Sequence, residues 1–275
     1  MEKILKNNNQ SKTITVMPLQ FSSQIANREE NYKTVEKLIA SNYTPDVDII
    51  ILPEVWTVGW DCSHFQDEED TETLPFLQEL AKKYNCWILG GSYIRKEEEK
   101  YYNTCPVINR NGKCIAMYNK MHLFSYYGCN ESDYIQNGTS PVMVDIEDVK
   151  IGLTICYDIR FPEIYRAYRQ AGADLLVNMA AWPLSRALHW ESLTRARAIE
   201  NQTYMIALTQ SGQLSDGSMN LGHSRILSYD GTTLVEITGN ENVTKAKLDF
   251  EPMYEFRNKC TILKDIHDKY EVIYR

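Results

Sequence analysis

The sequence predicts an α/β fold in which mixed β-sheets are covered by amphipathic helices. Short apolar runs of strand length alternate along the chain with stretches whose apolar residues recur at helical spacing. Two turn dipeptides, Asn111-Gly112 and Asp230-Gly231, lie between such runs and are typical of tight β-hairpins. Parallel strands need long crossovers, whereas hairpins join antiparallel neighbours, so the presence of both connections indicates mixed sheets.

The first part of the chain predicts two strand–helix units and a further strand. Residues 13–20 and 48–52 are expected to be strands, and the isoleucine-rich second run fits a strand buried on both faces. Residues 27–42 and 71–85 have the periodicity of amphipathic helices. Residues 86–94 are expected to form one strand, although two glycines lie inside it.

The remaining chain continues the alternation of strands and helices. The predicted strands are 101–109, 113–120, 142–145, 150–155, 173–182, 203–210, 224–229, 232–237 and 243–250, with the last beside the hairpin that precedes it. One predicted helix begins near Pro162 and ends near Gly172, and a second spans 186–202. Two sheets, each covered by helices on one face, would bury all these runs.

Length and composition predict one large hydrophobic core and therefore a single domain, residues 1–275. The chain is 43% hydrophobic and 24% charged, and no linker or internal repeat interrupts it. The segment 256–275 is expected to be an irregular tail that could pack on a second subunit.

Charge and hydropathy exclude several partners. The net charge of −8 and the lack of a basic stripe argue against nucleic acid. No apolar run approaches the length of a membrane span, and the polar N-terminus lacks a signal-peptide core. The seven cysteines are odd in number and contain no C-x-x-C pair, which predicts free thiols and a cytoplasmic, reducing location.

Three polar residues directly follow apolar strands, at the rim of the sheet where α/β proteins place their chemistry. They are Glu54 in Leu-Pro-Glu, Lys120 in Tyr-Asn-Lys-Met-His, and Cys156 in Thr-Ile-Cys-Tyr-Asp. Each alone has an ordinary alternative: a helix-capping carboxylate, a solvated lysine and a core thiol. Together they provide a base, a cation and a nucleophile.

In these segments the chain resembles the nitrilase superfamily of carbon–nitrogen hydrolases. The resemblance extends from the first strand to about Phe250 and includes the L-P-E, K-x-H-L-F and I-C-Y-D-x-R-F-P-E segments and the run 195–202. It implies a four-layer α-β-β-α sandwich and a Glu54-Lys120-Cys156 triad. It also implies a second catalytic glutamate, Glu131, for which Asp133 is the nearest alternative.

The residue types predict acyl transfer through a thioester. Glu54 would take the proton from Cys156 as sulfur attacks the amide carbon, and Lys120 with the backbone N–H of Tyr157 would stabilise the oxyanion. Glu131 would keep Lys120 charged. No metal or other cofactor is expected, because the histidines are far apart in sequence and the chain lacks zinc, P-loop, dinucleotide and G-x-S-x-G motifs.

Two segments most resemble the omega-amidase group, namely 178–183 and the Arg-Ala-Arg-Ala-Ile-Glu-Asn-Gln run. That resemblance implies a small dicarboxylate monoamide as substrate. Arg160 is the candidate partner for its far carboxylate, unless it pairs with Glu163 or Asp158. Trp182 is expected to form an apolar wall of the pocket, or else to be core.

Other functions stay open at this point. A nitrile or an N-carbamoyl compound would use the same triad, and only the shape of the pocket would distinguish them. An interaction protein that had kept the fold would be expected to lack part of the triad, whereas here all three residues are present. The resemblance also implies a homodimer, with apolar residues of the tail available for contacts.

Overall fold

Two large β-sheets form the centre of the fold. The computed structural model describes residues 12–126, 129–214, 217–267 and 270–275. The strands in these ranges are β1 (Thr13–Gln20), β2 (Ile49–Ile51), β3 (Trp87–Leu89), β4 (Tyr93–Glu97), β5 (Lys100–Ile108), β6 (Cys114–Asn119), β7 (Ser125–Tyr126), β8 (Cys129–Asn130), β9 (Met143–Ile146), β10 (Val149–Ile155), β11 (Leu175–Ala180), β12 (Tyr204–Thr209), β13 (His223–Leu227), β14 (Thr233–Thr238), β15 (Asn242–Val243) and β16 (Ala246–Asp249). The helices are α1 (Arg28–Asn42), α2 (Thr73–Tyr84), α3 (Pro162–Gln170), α4 (Ala187–Asn201) and α5 (Glu251–Lys259).

Both large sheets are mixed, as predicted. The first has the order β15-β1-β2-β3-β5-β4, with β16 also paired to β1 and β6 to β5. Its β1, β2 and β3 are parallel, whereas the β5–β6 hairpin is antiparallel. The second sheet has the order β14-β13-β12-β11-β10-β9, with a parallel centre and antiparallel edges. Strands β7 and β8 form a separate short pair.

The alternation of side chains along β2 shows how the first sheet separates two apolar layers. Ile49 and Ile51 join the cluster between the sheets, whereas Ile50 joins the cluster beneath the helices. The helix layer contributes Val35 of α1 and Leu77 of α2 to that second cluster. The isoleucine-rich run is therefore buried on both faces, as its composition predicts.

The second sheet is covered on its outer face by α3 and α4. Tyr165 and Tyr168 of α3 and Trp190 and Ala198 of α4 are buried and belong to the same large cluster as the strands. The order of layers is helix, sheet, sheet, helix, which confirms the predicted four-layer sandwich. No helix in the described ranges is both long enough and apolar enough to span a bilayer.

The predicted strand 86–94 is two strands, because the chain turns at its glycines. Gly91 has a φ of +63°, and a Cβ there would lie 2.0 Å from the carbonyl oxygen of Pro53. Only glycine permits this approach. The N–H of Ser92 then donates to the same Pro53 oxygen at 3.0 Å. This hydrogen bond holds the residue before β4 against the segment that carries Glu54.

The predicted position of strand 243–250 beside the preceding hairpin is wrong. Asn242–Val243 and Ala246–Asp249 instead pair antiparallel with β1, so the chain leaves the second sheet and returns to the first. Periodicity identifies a strand but not its partner, which is set by contacts distant in sequence.

The irregular tail predicted from residue 256 begins later, because α5 continues to Lys259. Arg257 of this helix donates to the Gln202 carbonyl at 2.7 Å and pairs with Asp174 at 3.3 Å. Beyond it, Tyr270, Ile273 and Tyr274 are exposed. Packing of these residues on a second subunit stays a prediction.

Candidate active site

Three strand ends from the two sheets meet at one buried point. Glu54 follows β2 and Lys120 follows β6 in the first sheet, whereas Cys156 follows β10 in the second. Glu54 and Lys120 are fully buried, and Cys156 is 7% exposed. The structure thus brings together the three residues that the sequence singled out.

Lys120 lies between two carboxylates. Its Nζ is 2.8 Å from Oε1 of Glu54 and 2.8 Å from Oε2 of Glu131. The Asn103 amide donates to the same Oε1 of Glu54 at 3.0 Å and lies 3.5 Å from Oε1 of Glu131. Glu131, and not Asp133, is therefore the acidic residue of this loop that contacts Lys120.

Glu54 is held by the second sheet as well as by the first. Its Oε2 accepts a hydrogen bond from the backbone N–H of Ala181 at 2.8 Å, directly after β11. Its backbone carbonyl accepts from Nε2 of Gln210 at 2.6 Å, directly after β12. The carboxylate is consequently fixed by donors from both sides of the interface, which restricts its rotation.

Burial and charge oppose each other at Lys120. Burial alone would lower the pKa of Lys120, but the negative charges of Glu131 and Glu54 outweigh it, and the pKa is raised. Burial raises the pKa of Glu131, while Lys120 and the N–H of Phe124, which donates at 2.6 Å, act in the opposite direction. The ammonium is therefore the stable form of the lysine.

Cys156 occupies a backbone conformation that is unfavourable for its residue type. Its φ is +45°, in the left-handed region, at the junction between β10 and a 3₁₀ helix, Cys156–Arg160. Val55, next to Glu54, also has a positive φ of +43°. Such strained residues persist only when their surroundings over-determine them, and they cluster at functional sites.

The Cys156 thiol is surrounded by more negative than positive charge. Burial raises its pKa well above the ordinary value, the charge of Glu54 adds to the rise, and Lys120 partly opposes it. The protonated thiol is therefore favoured in the resting site. A base must accept this proton when the sulfur attacks.

A cavity of about 650 Å³ reaches Cys156 from the surface. Aromatic rings form much of its wall, and Tyr157 and Trp182, both predicted as substrate-binding residues, are among them. The wall also contains Trp60, Asp61, Cys62, Ser63, Phe124, Tyr126, Asn130, Asp133, Tyr134, Ala181, Pro183, Ser185, Arg186, Leu214 and Ser218. Its size and its mixture of apolar walls with a few polar groups are typical of small-molecule sites.

Arg160 contacts two rings of this wall but does not belong to the lining. Its guanidinium carbon lies 5.6 Å from the ring centre of Tyr157 and 5.0 Å from that of Trp182. Its nitrogens lie 3.3 Å from Nδ1 of His189. No ion pair joins Arg160 to Asp158 or Glu163, all three of which the structure describes, so the predicted alternative of a salt bridge is not found.

Three contributors to the site were missed by sequence reasoning. Asn103 lies in the middle of β5, where an asparagine has no local signature of function. Trp60 places its ring centre 5.0 Å from Nζ of Lys120. Arg186 is a cation in the cavity wall, on a short 3₁₀ turn before α4. Only Arg186 offered a signal, because it lies three positions after the 178–183 segment that was singled out.

The cysteines depart in one respect from the expectation of free thiols throughout. Cys86, Cys105, Cys114, Cys156 and Cys260 are free, but Cys62 in the cavity wall is disulfide-bonded. Among the residues whose placement is described, no group of three or more His, Cys, Asp or Glu side chains is arranged to hold a metal ion.

Comparisons with known proteins agree with this geometry. The carbon-nitrogen hydrolase family model matches residues 17–258. A 2-oxoglutaramate amidase of Bacillus subtilis is 34% identical over 92% of this chain and 97% of its own length. An omega-amidase of Bos taurus is 30% identical over 94% and 96%, respectively. The crystal structure of Saccharomyces cerevisiae Nit3, a nitrilase superfamily member, superposes with a TM-score of 0.81 at 27% identity, covering 90% of this chain and 94% of its own. The chain therefore belongs to the carbon-nitrogen hydrolase family.

Proposed function

We propose that this enzyme is an omega-amidase that hydrolyses the terminal amide of small dicarboxylate monoamides and releases ammonia. The observation that carries the proposal is the buried contact of Lys120 with Glu54 beside the Cys156 thiol, at the end of a cavity open to solvent. The names of the Bacillus and Bos relatives support this class of substrate.

In the first half-reaction the sulfur of Cys156 attacks the amide carbon and Glu54 accepts the thiol proton. Because the pKa of Cys156 is raised, the resting thiol keeps its proton until Glu54 accepts it. Lys120 and the backbone N–H of Tyr157 stabilise the oxyanion. Glu54 returns the proton to the nitrogen, the C–N bond breaks, and ammonia leaves a thioester on Cys156.

In the second half-reaction water replaces ammonia. Glu54 accepts a proton from the water as its oxygen attacks the thioester carbon, and Lys120 again stabilises the oxyanion. The C–S bond then breaks, the proton returns to sulfur, and the carboxylic acid leaves. Glu131 keeps Lys120 in place and charged throughout, through their 2.8 Å contact.

The distal carboxylate of the substrate needs a cation in the cavity. Arg186 lines the cavity, whereas Arg160 contacts the rings of Tyr157 and Trp182 and is not part of the lining. We assign Arg186 as the stronger candidate for this contact and retain Arg160 as the alternative from sequence. A guanidinium suits a carboxylate because its planar donors match both oxygens.

The homodimer and the cytoplasmic location are also proposals. Exposed apolar side chains lie near the cavity, at Leu184 and Leu188, and along the tail, at Ile273 and Tyr274. Contact with a second copy would remove them from water. Light scattering after size-exclusion chromatography would test the dimer, and fractionation of the source cells would test the location.

The function is tested by measuring ammonia release from three substrate panels: dicarboxylate monoamides, N-carbamoyl amino acids and simple nitriles. We expect turnover of the first panel by the wild type and by Cys105→Ala, a matched change at a buried free thiol outside the cavity lining. Cys156→Ala should be inactive. Turnover confined to nitriles or carbamoyl compounds would refute the omega-amide assignment while retaining the nucleophile.

A further inference from the structure

Two polar residues of the strand-end segments take no part in the chemistry described above. His122 follows Lys120 by two positions, and Asp158 follows Cys156 by two positions. Asp158 is fully buried and does not belong to the cavity lining. A buried carboxylate is unfavourable unless hydrogen bonds or a cation compensate for the loss of water.

Both oxygens of Asp158 are occupied by donors. Oδ2 accepts from the Tyr118 hydroxyl at 2.6 Å and from the backbone N–H of Ile155 at 2.9 Å. Oδ1 accepts from the backbone N–H of His122 at 3.0 Å and lies 2.7 Å from its Nδ1. No Lys or Arg side chain pairs with Asp158 in the part of the chain that the structure describes. The four contacts therefore compensate for its burial.

These partners flank the reacting groups on both sheets. Tyr118 and His122 are the residues two positions before and after Lys120, whereas Ile155 directly precedes Cys156. The His122 ring is stacked on Phe161, with centres 3.7 Å apart and planes 10° apart. One carboxylate thus joins the lysine segment of the first sheet to the nucleophile turn of the second.

We propose that Asp158 is a positioning residue that fixes the placement of the Lys120 ammonium relative to the Cys156 sulfur. This inference rests on the proposed function, because it assigns Lys120 to the oxyanion formed at the carbon that Cys156 attacks. Apolar side chains pack between the two sheets, and directed hydrogen bonds cross between them at Glu54 and at Asp158. Apolar packing resists sliding less specifically than such hydrogen bonds do. A displacement of about 1 Å at a reacting group is enough to lower a rate about a hundredfold.

The test compares Asp158→Asn with a matched change at another buried aspartate. Asp174→Asn alters a carboxylate, 4% exposed, that precedes β11 and contacts Lys12 and Arg257. Asp158→Asn should lower kcat at least about tenfold and change KM by less than about threefold, since Asp158 does not line the cavity. Asp174→Asn should retain kcat even if its melting temperature falls as far as that of Asp158→Asn.

Tyr118→Phe keeps the inference falsifiable if Asp158→Asn does not fold. It removes one donor to Asp158 and should also lower kcat and leave KM nearly unchanged. The inference is overturned if folded Asp158→Asn retains kcat, if Asp174→Asn loses as much, or if Tyr118→Phe matches the wild type.

A readout independent of turnover separates this inference from the proposed function. The rate at which iodoacetamide alkylates Cys156 should change at least about tenfold in Asp158→Asn and stay unchanged in Asp174→Asn. This result would support Asp158 as a positioning residue even if no panel amide were hydrolysed. Equal alkylation rates in all three proteins, alongside an active wild type, would refute the inference alone.

Discussion

Oε1 of Glu54 lies 2.8 Å from Nζ of Lys120, and both side chains are fully buried. A base and a cation are therefore held together out of bulk water before any substrate arrives. Glu131 contacts the same ammonium at 2.8 Å, so two carboxyl groups and one ammonium lie beside Cys156. The charges of Glu131 and Glu54 keep Lys120 protonated despite its burial. Burial, followed by the charge of Glu54, raises the pKa of the Cys156 thiol.

The first prediction concerns the stability that Lys120 provides. Lys120→Met should lower the free energy of unfolding by about 3–5 kcal/mol, because it leaves two buried carboxylates without their cation. Urea unfolding would measure the loss. Lys33→Met, at an exposed lysine that also contacts two glutamates, is the control and should have a much smaller effect. Equal losses in the two variants would contradict the burial argument.

The second prediction concerns the protonation of Cys156. Absorbance at about 240 nm, with Cys156→Ala subtracted, should show no thiolate from this residue below the ordinary cysteine pKa of about 8.5. Glu54→Gln removes a charge that raises the pKa, so its thiolate should appear at lower pH. Lys120→Met removes a charge that lowers the pKa and should shift the signal to higher pH. A thiolate already present in the wild type at neutral pH would contradict this account.

The third prediction concerns the cation that binds the distal carboxylate. Arg186→Met should raise KM for dicarboxylate monoamides about tenfold to a hundredfold, the range expected for a lost charge-assisted hydrogen bond. Its KM for a neutral amide of similar size should change little. Steady-state kinetics of Arg186→Met and Arg160→Met would decide between the two arginines. A selective rise in Arg160→Met alone would reinstate the sequence-based assignment.

The fourth prediction concerns the backbone contact behind Glu54. Gly91→Ala should lower both kcat and the melting temperature, because its Cβ would meet the Pro53 carbonyl at 2.0 Å and displace the adjacent glutamate. Gly239→Ala is the matched control, since Gly239 also has a positive φ but has open space around it. That control should show only the conformational cost of about 1–2 kcal/mol and retain kcat. An active Gly91→Ala enzyme would show that this approach does not position Glu54.

The sequence was sufficient to predict the residues that follow strands, because an apolar run defines its own end. Glu54, Lys120 and Cys156 each directly follow such a run, and their order matches a known family pattern. Asn103 could not be predicted, since it becomes part of the site only when β5 lies beside the strand ends of distant segments. Arg186 likewise enters the cavity through the path of a turn and not through a local pattern.

Pairing between distant strands was the other feature that sequence reasoning could not supply. The strand near 243–250 was recognised, but its partner was misassigned because β1 is more than two hundred residues away. The division of 86–94 into two strands depends on the Pro53 carbonyl, which no local window contains. Both errors arise where tertiary contacts decide the outcome of an ambiguous local signal.

The most direct test of the central claim is mass spectrometry of the enzyme quenched during turnover of a dicarboxylate monoamide. We expect the intact mass to increase by that of the acyl group, and the peptide that contains Cys156 to carry the adduct. Cys156→Ala should show neither the adduct nor ammonia release. Ammonia release by pure Cys156→Ala, or an acyl adduct on a different residue, would contradict the account.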